Sequence, residues 1–168
     1  MSDFETLLVD DLGGGVVKVT LNRPQAMNAI STTMITELRD FFAPLAYGPG
    51  DLRCVVVTGS GDKAFCVGGD LKERRTMDDA QWRRQHAIIE EATYNIVTCS
   101  VPVIAAVNGY AYAGGFEFAL GCDFIYAAEH ASFALTEVKI GIMPGGGGTQ
   151  TLARAVGELR AKEIILSA

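Results

Sequence analysis

The sequence is poor in the residues on which most metal, redox and charge-relay chemistry depends. Of 168 residues only two are histidines, His86 and His130, and four are cysteines, Cys54, Cys66, Cys99 and Cys122. No two cysteines form a CxxC pair and neither histidine neighbours a convincing nucleophile, which argues against a zinc site and a histidine-based triad. The cysteines are expected as free thiols of a reduced, cytoplasmic compartment, and the histidines as solvated or structural side chains. No apolar run is long enough to cross a membrane as a helix. The opening stretch, MSDFETLLVDD, lacks the basic segment and apolar stretch of a leader. Positive charge is also in deficit. Fourteen Lys and Arg against 20 Asp and Glu give a net charge of −6, which weighs against a broadly basic nucleic-acid-binding surface. Nothing in the chain calls for a metal, a flavin or a nicotinamide. The glycines of GSGDKAFCVGG match neither a phosphate loop ending in Gly-Lys-Ser/Thr nor GxGxxG.

What is present is an ordinary globular profile, 49% hydrophobic and 20% charged, in a chain long enough for one domain over residues 1–168. VVKVTLNRP alternates and stops at Pro24, a strand running into a turn. STTMITELRDFFAPL opens on Ser and Thr and spaces its apolar residues as a helix does. RCVVVTGSG and VPVIAAVNG read as buried strands, with a polar helix from about Asp78 to Thr98 between them that Pro102 prevents from continuing. A short helix carrying Glu117, strands in CDFIYAA and ASFAL, a loop IMPGGGG and two helices separated by Gly157 complete the chain. Continuous apolar runs alternating with helices predict an α/β fold whose strands are covered on both sides, and no sequence repeat is evident.

Two glycine loops and two acids carry the chemistry. Gly68-Gly69 exposes bare backbone N–H groups that a ligand can approach, although a tight turn explains the pair equally well. Gly114-Gly115 opens a helix, where the first N–H groups lack partners and the macrodipole favours negative charge. Two loops each offering an N–H are what a developing oxyanion needs. Glu117 and Glu137, twenty residues apart, both sit in apolar company. Either alone reads as a helix cap or a surface carboxylate. Together they can flank a water or a substrate C–H as base and acid, and their proximity would raise at least one pKa.

The strings LNRPQAMNAI, KAFCVGGDLKER, PVIAAVNGYAYAGGFEFALGCDF and FALTEVKIGIMPGGGGTQTLARAVG resemble, in order and over almost the whole chain, the enoyl-CoA hydratase/isomerase (crotonase) superfamily. The resemblance implies a crotonase-like fold of repeated ββα units in a spiral core, without the family's C-terminal helical region. It implies an oxyanion hole from the N–H groups of Gly69 and Gly114, and a hydratase's pair of glutamates at Glu117 and Glu137. Glu117 would activate water and Glu137 would supply the Cα proton. Coenzyme A would enter as part of the substrate rather than as a cofactor, held by Gln25, Ala26 and Met27, by Lys63, Ala64, Phe65 and Val67, and around Gly68, Asp70 and Leu71. A homotrimer or dimer of trimers is the implied assembly. An enoyl-CoA isomerase, a methylglutaconyl-CoA hydratase and a non-catalytic CoA- or RNA-binding core are the alternatives. For RNA, a basic face of Lys72, Arg74, Arg75, Arg83, Arg84 and His86 is diluted by Glu73, Asp78 and Asp79. Three local expectations remain. Ala113 stands where the family usually has a third glycine and is expected to be tolerated there if its φ is negative, Tyr112 and Phe116 are expected to narrow an acyl pocket, and Ile164, Ile165 and Leu166 are expected to be exposed.

Overall fold

In the computed structural model, which describes residues 4–168, the strands divide between two sheets. The larger has the order β1 (Leu7–Gly13), β2 (Val16–Leu21), β3 (Cys54–Gly59), β5 (Val103–Val107) and β7 (Phe124–Ala127). All its pairings are parallel except the β1–β2 hairpin, turned by Gly14 and Gly15. The smaller, wholly parallel sheet is β4 (Ala64–Cys66), β6 (Tyr110–Tyr112) and β8 (Ser132–Ala134). Strand pairs β3/β4, β5/β6 and β7/β8 each send their first strand to the large sheet and their second to the small one. This is the spiral of ββα units that the resemblance implies. The repeat is plain in the structure, where the sequence reading found none. Burial alternates in β3 and β5, but β7 is largely exposed, so the expected cover on both sides fails at that edge.

Helices α1 (Thr32–Phe42) and α3 (Asp79–Val97) pack against each other. Ser31 caps α1 by accepting from Met34 N–H, and Asp78 with Gln81 forms a reciprocal capping box at the start of α3. The single-turn α2 (Leu71–Arg74) precedes α3, α4 (Gly114–Gly121) carries Glu117, and α5 (Gly148–Val156) and α6 (Glu158–Ser167) meet at Gly157. Ile164 and Ile165 pack against the core while Leu166 is exposed, so only the last of the three meets expectation.

The turns between the sheets are tied by two side-chain amides, one of them fully buried. Asn28 is fully buried at positive φ, and its side-chain NH₂ donates to the Ala64 and Ser60 carbonyls at 2.8 and 3.0 Å. Its Oδ1 accepts from Arg23 N–H at 2.9 Å. Asn108 clamps the end of β3 in the same way through the Gly59 and Gly61 carbonyls. These bonds hold the segment that precedes Gly69 in a fixed place relative to α1.

Candidate active site

The carboxyl ends of β4, β6 and β8 open in one direction, and each is followed by a candidate group: Gly69 after β4, Gly114 after β6 and Glu137 after β8. All three line a single cavity of about 890 Å³, with Glu117, Val67 and Leu71. Its far wall is apolar and comes from α1 and α3, including Ile35, Leu38, Ile89 and Ile96.

Gly69 lies in an isolated parallel bridge with Ile30. The bonds of that bridge are made by its neighbours, Ile30 N–H to the Gly68 carbonyl at 2.8 Å and Asp70 N–H to the Ile30 carbonyl at 2.9 Å. Gly69 N–H therefore points to the other side. Gly114 is the first residue of α4, where an N–H has no carbonyl behind it in the helix. Neither N–H finds an acceptor among the described residues. The two loops are in contact: a Cβ placed on Gly68, at φ +87°, would stand 2.9 Å from Gly114 N.

Glu117 is buried in the first turn of α4. Its Oε1 accepts from Gly146 N–H at 2.7 Å and from Gly148 N–H at 2.8 Å. Gly146 and Gly148 pack so closely on the carboxylate that a Cβ on either would come within about 3.0 Å of it. Burial pushes the Glu117 carboxyl above its ordinary pKa, against the pull of the Gly148, Gly146 and Gly145 N–H groups. Glu137 opens a 3₁₀ turn, Glu137–Ile140, and is also buried. Burial raises its pKa as well; its own backbone N–H works against that and the Glu117 charge adds to it. The oxygen Oε2 of Glu137 is buried without a hydrogen-bond partner. One point ties these groups together. A Cβ built on Gly114 would lie 3.9 Å from Gly69 N and 4.0 Å from Glu117 Oε2.

Of the remaining candidates, Val67 and Leu71 line the cavity, and Gly68 and Asp70 stand behind it. Asp70 caps α2 through the Lys72 and Glu73 N–H groups and is paired with Arg23 at 2.9 Å. Burial raises the Asp70 pKa, but the Arg23 bond and the α2 N–H groups outweigh it and hold the carboxyl below its usual value. Gln25 and Ala26 lie in the 3₁₀ turn Pro24–Ala26, with Met27 as its left-handed cap, and with Lys63 they fall outside the cavity lining. Ala64 and Phe65 are buried in β4, and Phe65 packs on Phe118 with ring centroids 5.9 Å apart.

Several expectations need correction. Ala113 adopts φ 49°, ψ −128°, not a negative φ. An L-residue there is strained, because Cβ crowds the backbone in a region open mainly to glycine. Ala113→Gly is therefore expected to raise unfolding stability by about 1 kcal/mol, measured by urea denaturation. Tyr112 and Phe116 do not line the cavity. Tyr112 stacks on Tyr110 and bonds Ser132, and Phe116 packs against Phe133, while Phe118 reaches the cavity wall. The basic face is broken, since Arg74 and His86 turn to the cavity. His86 stacks on Trp82 at 5.0 Å and 8°, whereas His130 stays exposed. All four cysteines are free, and burial pushes the Cys66 and Cys122 thiols up to about 12. Gly146, Gly148 and Arg74 are site residues that the sequence did not single out as such.

Among curated proteins, the chain is 38% identical over 155 residues to a short-chain-enoyl-CoA hydratase of Clostridium acetobutylicum, covering 92% of this chain and 59% of that protein. It is 39% identical over 168 residues to a mitochondrial enoyl-CoA hydratase of Pongo abelii, covering 99% of this chain and 57% of that protein. It thus spans less than two thirds of these relatives' length. A crystal structure of an enoyl-CoA hydratase from Bacillus anthracis superimposes with a TM-score of 0.93 at 42% identity, over 98% of this chain and 63% of that one. The family model described as enoyl-CoA hydratase/isomerase matches residues 11–168, and the chain belongs to that family, the crotonase superfamily.

Proposed function

We propose that this chain carries the catalytic core of an enoyl-CoA hydratase, adding water reversibly across the trans-2,3 double bond of an enoyl thioester. The observation that carries the reading is the convergence of two unsatisfied N–H groups and two buried carboxyl groups on one cavity. The thioester oxygen would accept from Gly69 and Gly114 N–H, where the start of α4 adds its dipole. Glu117 spends one oxygen on Gly146 and Gly148, which favours its ionised form and leaves Oε2 to take a proton from water. Glu137, with no donor on its buried Oε2, is better suited to hold the proton of the pair. Water oxygen then bonds to Cβ, the π electrons move onto the thioester oxygen, and Cα takes the Glu137 proton as the carbonyl re-forms. One proton is taken up and one released, so the pair is restored by transfer through solvent. An acyl-CoA thioester as substrate and a homo-oligomeric working form belong to the same reading.

Hydration of trans-2-pentenoyl-CoA by the purified chain tests it. The expected product is the 3-hydroxyacyl thioester, and exclusive double-bond migration would replace hydration by isomerisation. The pH profile follows from the two carboxyl groups. Both pKa values are raised, so activity is expected to fall at low pH as Glu117 gains a proton and at high pH as Glu137 loses one. The two apparent values belong to the pair, and both are expected above the ordinary carboxylate range. Stability follows the same shifts. Because the folded values are raised, the contribution of these groups is full below the unfolded carboxylate pKa and is lost as pH climbs through the folded values.

A further inference from the structure

Arg23 falls outside the cavity lining, yet its side chain reaches the peptide groups that aim one of the two unsatisfied donors. Its backbone is fixed by the turn it opens: its N–H donates to Asn28 Oδ1, and its carbonyl accepts from Ala26 and Asn28 N–H, each at 2.9 Å. The guanidinium is mostly buried, and both terminal nitrogens are spent inside the fold. Nη2–H donates to Asp70 Oδ2 at 2.9 Å, and Nη1–H donates to the Ala29 carbonyl at 2.6 Å. Ala29 C=O and Ile30 N–H are the two ends of one peptide group, and Ile30 N–H donates to the Gly68 carbonyl at 2.8 Å. Gly68 C=O and Gly69 N–H are the two ends of the next. No peptide bond among the described residues is cis, so in each group the carbonyl and the N–H point opposite ways. A continuous file of hydrogen bonds thus runs from a cation through two peptide groups to the free N–H of Gly69.

We infer that Arg23 is a positioning residue that aims and polarises the Gly69 N–H through the Ala29–Ile30 and Gly68–Gly69 peptide groups. The inference rests on the hydratase reading for the thioester oxygen that this N–H would meet. The two donors need unequal help. Gly114 begins α4, whose dipole already favours negative charge, whereas Gly69 lies in an isolated bridge and the single turn of α2 starts only at Leu71. A hydrogen bond from a charged donor is about twice as strong as a neutral one, and each bond in a chain strengthens the next by roughly 10–30%. Negative charge developing on the oxygen draws on the whole file, so the gain is larger in the transition state than in the bound substrate. Asp70 holds the other half of the guanidinium in place. Its own charge is spent on Arg23 and on the Lys72 and Glu73 N–H groups of α2.

Arg23→Met is expected to lower kcat for trans-2-pentenoyl-CoA about 5- to 10-fold with KM little changed, well short of the roughly 10² to 10³ that loss of a whole donor costs. Arg23→Lys, which keeps a charged donor within reach of the Ala29 carbonyl, is expected to recover part of the rate. A second readout needs no turnover: difference infrared spectroscopy of bound valeryl-CoA, a saturated thioester isotope-labelled at its carbonyl. In the parent the C=O stretch is expected below that of the free thioester, and in Arg23→Met it moves back toward the free value, with Arg23→Lys between. If Arg23→Met does not fold, Arg23→Gln, neutral but able to donate, carries the same comparison. A residue that only clamps the fold would lower urea stability and leave the bound stretch where the parent has it, and that result overturns the inference. So does a loss confined to KM, or a parent that binds no thioester or leaves its stretch unmoved. A parent that moves the stretch, loses the movement in Arg23→Met and hydrates nothing would overturn the hydratase reading and leave the Arg23 assignment standing.

Discussion

Replacing Glu117 or Glu137 by glutamine is expected to lower kcat for enoyl-CoA hydration by about 10² to 10⁴ in each case. The two variants should keep their shape. In Glu117→Gln the side-chain oxygen can still accept from Gly146 and Gly148 N–H, so the amide stays where the carboxylate was. It then turns an NH₂ group toward the water in place of a base. In Glu137→Gln the proton donor to Cα is replaced by an amide too weakly acidic to serve. KM should change little in both, because the proposed thioester donors, Gly69 and Gly114, are untouched. Groups that act on one water as a unit are not additive, so the double variant is expected to lie close to the worse single one. Exchange of the Cα hydrogen with deuterated solvent separates the roles, surviving in Glu117→Gln and disappearing in Glu137→Gln. A double variant with the parent rate would exclude the two-carboxylate mechanism altogether.

How far the sequence discloses this site depends on the length over which each signal acts. Helix α3 was legible to within a residue or two, expected from about Asp78 to Thr98 and found over Asp79–Val97, because Asp78 caps its start and Pro102 lies past its end. Gly157 likewise separates α5 from α6 as its sequence suggests. The strands β4 and β6 were not legible as strands: three residues cannot display an alternation, and both lie inside glycine-rich stretches. Strand β1 was hidden for another reason. It is an edge strand, and its exposed Asp10 and Asp11 break the apolar pattern while protecting the edge. The pairing of Glu117 with Glu137 could be guessed from apolar surroundings, since a buried carboxylate needs a purpose. The donors to Glu117 could not be guessed, because they lie 29 and 31 residues away in a run of four glycines that offers no distinguishing side chain. Arg74 was concealed within a charge run, LKERR, of the kind that usually faces solvent. Only the one-turn length of α2 and the missing side chain at Gly69 bring that one cation inside.

Two neighbouring glycines at the start of α4 should respond to the same substitution in opposite ways. In Gly115→Ala the new methyl carbon would fall 2.1 Å from the Cys66 carbonyl oxygen, 2.5 Å from its carbon and 2.9 Å from the Cys66 Cβ. Two of these atoms are backbone of β4, and no rotamer change relieves the overlap. Helix α4 and strand β4 must instead move apart by about 1 Å to reach an ordinary C···O contact. Those two segments carry Gly114 and lead into Gly69, so the same displacement would widen the proposed oxyanion hole. We expect Gly115→Ala to cost about 2–3 kcal/mol in urea unfolding, as overpacking typically does, and about 10² in kcat/KM through the misplaced donors. At Gly114 the nearest atom to an added Cβ is 3.5 Å away, an ordinary contact, and alanine is the better helix former by about 1 kcal/mol. Gly114→Ala should therefore unfold no more readily than the parent. Its methyl group would occupy the point that lies 3.9 Å from Gly69 N and 4.0 Å from Glu117 Oε2, which the proposed mechanism gives to the thioester, and turnover should fall with stability intact. If Gly115→Ala proves as stable as the parent, the packing of α4 against β4 is looser than these distances require. If Gly114→Ala keeps full activity, the thioester does not enter between the two N–H groups.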